Sequence, residues 1–267
     1  MHVRGGFADV NGTRLCHEVA GSGFPLVLVH GFTLDMRMWD DQFEAFAKDY
    51  RVVRYDVRGF GRSALPVSGE SYSHIDDLRA LLEHLGIAEA YVLGLSMGGE
   101  IAIDFALACP HMTRALIPVD SGLGGYPLPP DVAASLESIS TAARESGVEV
   151  AKRFWLDHPL FKPAFEKPDV ASRLVRMVSD YSGWHWLNED PVCDLDPPAA
   201  QQLGSITMPT LAIVGERDLP GCHEIADIVE HNIADARKVI LPSVGHMSNM
   251  EDPDGFNQMV RDFIESL

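Results

Sequence analysis

Ala90-Tyr91-Val92-Leu93-Gly94-Leu95-Ser96-Met97-Gly98-Gly99 is the stretch on which the fold turns. It begins as a short apolar run of the kind that makes a buried strand. From Gly98 to Ala108 the residues are small and apolar, as suits a helix packed on a sheet. Gly94 to Gly98 reads G-x-S-x-G, in the strand–turn–helix setting that gives this pattern its meaning. The serine must sit on a sharp turn that exposes its hydroxyl, and the flanking glycines let two elements approach closely around it. The N-terminus of the following helix adds a positive dipole end where negative charge would develop. Ser96 is therefore a candidate nucleophile.

The same rhythm extends in both directions. Pro25–His30, Arg51–Asp56, Ala115–Asp120, Thr210–Val214 and Arg237–Leu241 are near-continuous apolar runs, which suit a parallel sheet covered on both faces. Ser73–Leu85 carries Ile75, Leu78, Leu81, Leu82 and Leu85 on one helical stripe, and Asp254–Leu267 closes the chain as an amphipathic helix. Strand–helix alternation predicts an α/β fold with a mostly parallel, doubly wound sheet. Residues 121–205 break the pattern. Pro130–Ser146, Val148–His158 and Asp169–Tyr181 read as helices separated by prolines, with no clear strand. We expect a core domain of residues 1–120 and 206–267 and an inserted helical cap of residues 121–205.

A serine hydroxyl needs a base. Of 11 histidines, His246 follows the last expected strand on a Gly-containing loop, Leu241-Pro242-Ser243-Val244-Gly245-His246. Strand-end loops hold catalytic side chains. The base needs an acid to set its tautomer. Val214-Gly215-Glu216-Arg217-Asp218 follows the preceding strand, so Asp218 would project at the same sheet end; Asp120, before the cap, is the rival. An acyl intermediate also needs an oxyanion hole of backbone N–H groups. Met97, at the helix start, and Phe32, in the His30-Gly31-Phe32 loop, are the expected donors. His30 reads as a brace for that loop. Phe32, Trp155, Trp184 and Met247 are the candidate substrate contacts, with Trp186, Phe154 and Phe161 nearby; cap aromatics suit the packing of helices on one another equally well.

These stretches resemble the α/β-hydrolase fold family, which uses the chain order Ser96, Asp218, His246. His30-Gly31-Phe32 with Trp39, the Asp56–Ser63 turn, and Gly245-His246 followed by Glu251 and Pro253 are similar to its core. The resemblance spans about Val10–Asp120 and Ser205–Leu267. It implies that the Asp56–Ser63 turn is structural. Haloalkane dehalogenases and epoxide hydrolases of this family carry aspartate where this chain has Ser96. Phe32–Trp39 looks like carboxylesterases and 3-oxoadipate enol-lactonases, and Phe32-Thr33 departs from the Gly/Pro-rich pattern of the carbon–carbon bond hydrolases. The implied activity is hydrolysis of carboxylic esters or lactones through an acyl-serine. Alternatives are an enol-lactonase acting on an anion, acyl transfer or perhydrolysis, and a ligand-binding member of slow turnover.

Composition narrows the partners. The chain has 267 residues, 46% of them hydrophobic, enough for one large core. Its formal charge is −18, from 39 acids against 21 bases, which argues against nucleic acid and anionic membranes as partners. No apolar run reaches the ~18 residues a membrane helix needs. Met1–Gly12 shows no basic start followed by an apolar run, so no secretory signal is expected. Cys16, Cys109, Cys193 and Cys222 form no C-x-x-C pair and read as reduced thiols of a cytoplasmic protein. The histidines and acids lack metal-ligand spacing, and no Gly-rich phosphate loop is present, so neither metal nor cofactor is expected.

Overall fold

Leu26, Val27, Leu28 and Val29 are all fully buried, although successive strand residues face opposite ways. The sheet that holds them is therefore covered on both faces, the condition that near-continuous apolar strands require. A computed structural model describes residues 2–267. Its sheet comprises β1 (Val3–Val10), β2 (Thr13–Ala20), β3 (Pro25–Val29), β4 (Arg51–Tyr55), β5 (Ala90–Leu95), β6 (Thr113–Val119), β7 (Thr210–Gly215) and β8 (Ala236–Leu241). Their spatial order is β1-β2-β4-β3-β5-β6-β7-β8. β2 runs antiparallel to β1 and β4; every other pairing is parallel. The mostly parallel α/β sheet expected from the sequence is what the chain forms.

The helices are α1 (Asp40–Phe46), α2 (His74–His84), α3 (Met97–Ala108), α4 (Pro130–Ser146), α5 (Val148–Leu156), α6 (Lys162–Phe165), α7 (Pro168–Asp180), α8 (Trp184–Leu187), α9 (Pro220–Asn232), α10 (Ser248–Glu251) and α11 (Pro253–Glu265). α2 packs beside α3, and α1 beside α11. Ser73 starts α2 by accepting from the N–H groups of Ile75 and Asp76, which satisfies donors that the helix itself leaves unpaired.

Helices α4 to α8 all fall between β6 and β7. This segment touches the core at loops on the carboxyl ends of the strands. Trp155 on α5 donates to Thr33 after β3 (2.6 Å), and Arg173 on α7 pairs with Asp41 on α1 (2.6 Å). Lys167 donates to the Glu251 carbonyl. The connection thus sits over the sheet end to which Ser96, Asp218 and His246 project.

Candidate active site

The turn at Ser96 is set by close backbone packing. A Cβ on Gly94 would stand 1.9 Å from the Gly98 carbonyl oxygen, and one on Gly98 would stand 2.2 Å from that of Val29. No side chain fits at either place. Ser96 itself adopts φ 58°, ψ −118°, a left-handed conformation that costs a non-glycine residue on the order of 1–3 kcal/mol. Its N–H donates to the Val119 carbonyl and its carbonyl accepts from Gly122 N–H, so the end of β6 and the turn after it hold the strained residue in place.

His246 and Asp218 are brought together. Nδ1 of His246 lies 2.8 Å from Asp218 Oδ2, and their side chains are 5% and 0% exposed. Asp218 Oδ1 accepts the Leu219 N–H at 2.7 Å. Burial alone would raise the Asp218 carboxyl, but the facing imidazole, the Leu219 N–H and the Cys222 thiol outweigh it and hold the group below the usual carboxylate range. His246 Nε2 is buried without a hydrogen-bond partner among the described residues, free to take a hydroxyl proton. Glu251 fixes the loop by accepting from Gly245 N–H (2.9 Å) and Met247 N–H (3.2 Å).

Asp120, the rival acid, lies at the end of β6 and is 1% exposed. It accepts from Gly215 N–H at 2.7 Å and from Ser248 Oγ at 2.5 Å. Burial first, then the Asp218 charge, push its pKa well up. The two shifts run in opposite directions, so negative charge is favoured on Asp218 over Asp120. Cys222 Sγ stands 3.8 Å from His246 Nδ1. Asp218, Cys222 and His246 are the one tight donor cluster among the described residues. Two of its three members, His246 Nδ1 and Asp218 Oδ2, are already bonded to each other.

The oxyanion loop is pinned from below. His30, fully buried, accepts the Val57 N–H at Nε2 (2.9 Å). Its proton is therefore on Nδ1, which donates to the Gly31 carbonyl at 2.8 Å. Burial lowers the His30 pKa, in keeping with this neutral tautomer. Leu34 N–H donates to the same carbonyl. The Gly31–Phe32 peptide is planar and trans, so anchoring its oxygen turns the Phe32 N–H the opposite way. A Cβ on Gly31 would lie 3.5 Å from Ser96 Cβ, which places this loop against the serine. Met97 supplies the first N–H of α3, one of those a helix leaves unpaired. Asp56 accepts from Met36 and Arg62 N–H groups and so closes its turn beside the site.

Of the other expected contacts, Phe32 sits in an aromatic box. Phe60, Trp155, Tyr181, His185 and Trp186 meet it edge-on, at centroid distances of 5.7 to 6.4 Å. Trp155 is buried, with its ring edge against Phe161 and its Nε1 on Thr33 Oγ1, which in turn donates to the Phe32 carbonyl. Trp184 is half-buried and packs on His185; its neighbour Trp186 reaches Phe32 instead. Met247 is 1% exposed, between His246 and α10.

A small cavity of about 180 Å³ adjoins Phe32 and Met97. Glu100, Asp104, Asp190 and Asp194 line it, with no lysine or arginine among the lining residues. The reading of α3 as an apolar helix is corrected here: Glu100 and Asp104 stand one turn apart on it. Both are visible in the sequence, four residues apart in an otherwise apolar run, a spacing that puts two carboxylates on one helix face.

A parallel sheet wound on both faces, with a serine on a strained strand-to-helix turn and a histidine–carboxylate pair at the same end, defines the α/β class of hydrolytic enzymes. The chain belongs to the alpha/beta hydrolase family, whose model matches residues 26–259. It is 30% identical to a soluble epoxide hydrolase from Corynebacterium sp., over 84% of this chain and 86% of that one. It is similar to the solved enol-lactonase from Burkholderia xenovorans LB400 (26% identity, TM-score 0.78, 97% and 100% of the two chains covered). It is equally similar to a thermophilic esterase from Thermogutta terrifontis (25% identity, TM-score 0.79, 98% of each chain covered).

Proposed function

We propose that this protein hydrolyses carboxylic esters or lactones through an acyl-serine intermediate. The observation that carries the reading is Ser96 on its strained turn at the sheet end where Asp218 and His246 lie 2.8 Å apart. Ser96 Oγ attacks the carbonyl carbon while His246 Nε2 takes its proton. The N–H groups of Phe32 and Met97 hold the oxyanion. His246 returns the proton to the leaving alkoxide, the C–O bond breaks, and the acyl group stays on Ser96. Water, deprotonated by His246, then attacks the ester and releases the acid and the serine. Asp218 keeps Nδ1 protonated and balances the imidazolium.

An anionic enol-lactone would need cationic side chains at the site. The cavity beside the oxyanion loop offers carboxylates, which favours the general ester or lactone reading. Acyl transfer or perhydrolysis would need another nucleophile in place of water, and nothing in the site selects one.

The test joins labelling and turnover. A fluorophosphonate should attach to Ser96 alone, and Ser96→Ala should lose p-nitrophenyl butyrate hydrolysis by about a million-fold with its melting temperature kept. A variant that retains a tenth of the activity, or a label on another residue, ends the assignment. A stoichiometric burst without turnover across ester and lactone substrates would make the protein a binding member of its fold.

A further inference from the structure

His158 follows α5 in the segment between β6 and β7, and only 7% of it is exposed. Its backbone is fixed on both sides: its N–H donates to the Trp155 carbonyl at 3.1 Å, and its carbonyl accepts from Phe161 N–H at 3.0 Å. Two contacts decide where this turn stands. The Trp155 ring lies 5.6 Å from that of His158, meets Phe32 edge-on at 5.8 Å and bonds Thr33, so one side of the turn rests on the oxyanion loop. Pro163 closes over Gly245, where a Cβ would lie 2.5 Å from Pro163 Cγ, so the other side rests on the residue before His246. His158 therefore stands between the oxyanion loop and the His246 loop.

One nitrogen of its ring is in use. Nδ1 accepts the Leu160 N–H at 3.2 Å, which leaves the proton of the neutral imidazole on Nε2. Burial first, then the positive charge of His246, lower the His158 pKa, so the ring stays neutral while His246 carries its proton. The Nε2–H group has no acceptor among the described residues, yet it is not sealed in the interior as Nε2 of His246 is. The other buried polar residues of this segment are engaged: Ser121 donates to the Gly122 carbonyl, and Lys152 to Glu149 and the Ser179 carbonyl. A donor this buried loses free energy unless water or a ligand accepts its proton.

We propose that His158 is a specificity-determining residue whose Nε2–H donates to the alcohol portion of the substrate, so that the preferred esters or lactones carry an acceptor oxygen (ether, hydroxyl or carbonyl) beyond the scissile C–O bond. The inference rests on the hydrolytic reading above and adds a substrate class to it. The alcohol side is assigned because His246 returns its proton to the leaving oxygen, and a group beside His246 meets what that oxygen carries. Discrimination follows because an alkyl group in the same place leaves the N–H unpaired.

The experiment compares two pairs of butyrate esters by pH-stat, 2-methoxyethyl against butyl and 3-methoxypropyl against pentyl. Within each pair the alcohol differs only in an ether oxygen for a methylene. After correction for the ratio found with hydroxide alone, kcat/KM should favour the ether ester of at least one pair by about five-fold, the worth of one net hydrogen bond. His158→Gln puts an amide N–H near the place of Nε2 and should keep a preference. His158→Asn keeps an acceptor for the Leu160 N–H, but it is too short to reach the substrate, and the ratio should fall to near one. A residue that only starts the Pro159 turn would move both esters of a pair alike. Ratios near one for both pairs in the parent, or a parent-like ratio in His158→Asn, overturn the proposal. If butyl butyrate is cleaved and Ser96 labelled while both ratios are near one, only the role of His158 is wrong. If no ester turns over, the hydrolytic reading fails, and imidazole ¹⁵N NMR decides the donor alone. The His158 Nε2–H signal should move with 2-methoxyethanol more than with 1-butanol; equal shifts, or a proton on Nδ1, refute it.

Discussion

Replacing Asp218 by asparagine changes one atom and should cost about four orders of magnitude in kcat. The reason lies in what surrounds the two carboxylate oxygens. One accepts the fixed Leu219 N–H at 2.7 Å and the other accepts His246 Nδ1 at 2.8 Å. An amide has a single acceptor oxygen. The backbone donor cannot turn away, so the amide oxygen stays on Leu219 and the NH₂ faces His246. Nδ1 must then accept, the imidazole proton moves to Nε2, and Nε2 can no longer take the proton of Ser96. Four orders correspond to about 5 kcal/mol of barrier. Asp120→Asn is the contrasting case. Burial and the Asp218 charge push the Asp120 carboxyl toward its neutral form, so a neutral amide of the same shape costs little: its oxygen can keep the Gly215 N–H, and its NH₂ can donate to Ser248 Oγ once that hydroxyl turns its proton away. The expected loss is within about ten-fold. The assay is kcat and KM on p-nitrophenyl butyrate from pH 6 to 9, with thermal melting of each variant. A hundred-fold loss in Asp120→Asn, or a nearly intact Asp218→Asn, would show that the charge sits on the other carboxylate.

Trp155→Ala removes a buried ring and the bond to Thr33, so unfolding free energy should drop by about 3–5 kcal/mol, read by denaturant melts, with activity falling on every substrate alike. A variant of parent stability with a changed substrate ranking would instead make Trp155 a pocket residue. His185, stacked on Phe60 at 4.4 Å, is held down to about 4 by burial. The unfolded chain binds a proton near pH 6.5 that the folded chain refuses, so stability falls as pH drops from about 6.5 toward 4, by up to about 3 kcal/mol at 1.36 kcal/mol per unit. Denaturant melts should show a shallower slope in His185→Phe than in the parent, the remainder coming from His74, which burial holds down to about 3; parallel curves would refute it. A succinate monoester should be cleaved more slowly than a neutral butyrate ester of the same leaving group, with the gap narrowing as salt rises and the Debye length shrinks from ~10 Å at 0.1 M to ~3 Å at 1 M. Faster cleavage of the anion at low salt would move the enol-lactonase reading ahead.

Strands β3 to β7 were legible because each is mostly buried on both faces and so reads as a near-unbroken apolar run, whereas β2, interrupted by Arg14, His17 and Glu18, was missed. β1 was missed too. Its pattern Val3-Arg4-Gly5-Gly6-Phe7 is exposed at an edge of the sheet, and nothing in such a strand alternates. Helix α9 was missed because Pro220-Gly221 at its start looks like a turn, although proline is well suited to the first helical position. At the site, loop position pointed to Asp218 and His246. What lies behind them was hidden, since the Asp120–Ser248 contact joins residues 128 apart in the chain. No periodicity distinguishes Trp184 from Trp186 in the sequence, because α8 is a single turn in which the two face different ways. Glu100 and Asp104 stand as a pair at helical spacing in the sequence, but the apolar residues around them carry the stronger pattern, that of a helix packed on a sheet.

The charge of −18 says little until the positions of the bases are known. Seven of the 21 bases fall between β6 and β7, enough in principle to make a positive rim over the serine. Four are engaged elsewhere. Arg144 pairs with Glu137, Lys152 with Glu149 and the Ser179 carbonyl, Arg173 with Asp41, and Lys167 with the Glu251 carbonyl. Arg153, Lys162 and Arg176 are exposed, where water and salt screen them. None of the seven lines the cavity beside the oxyanion loop; of the acids that do, Asp190 is held by the Tyr72 hydroxyl, and Glu100, Asp104 and Asp194 make no ion pair among the described residues. The local field there has the sign of the global one and is less screened. Acids without a lysine or arginine beside the oxyanion loop disfavour an anionic substrate there, which is the condition that turns net charge from a matter of solubility into one of specificity.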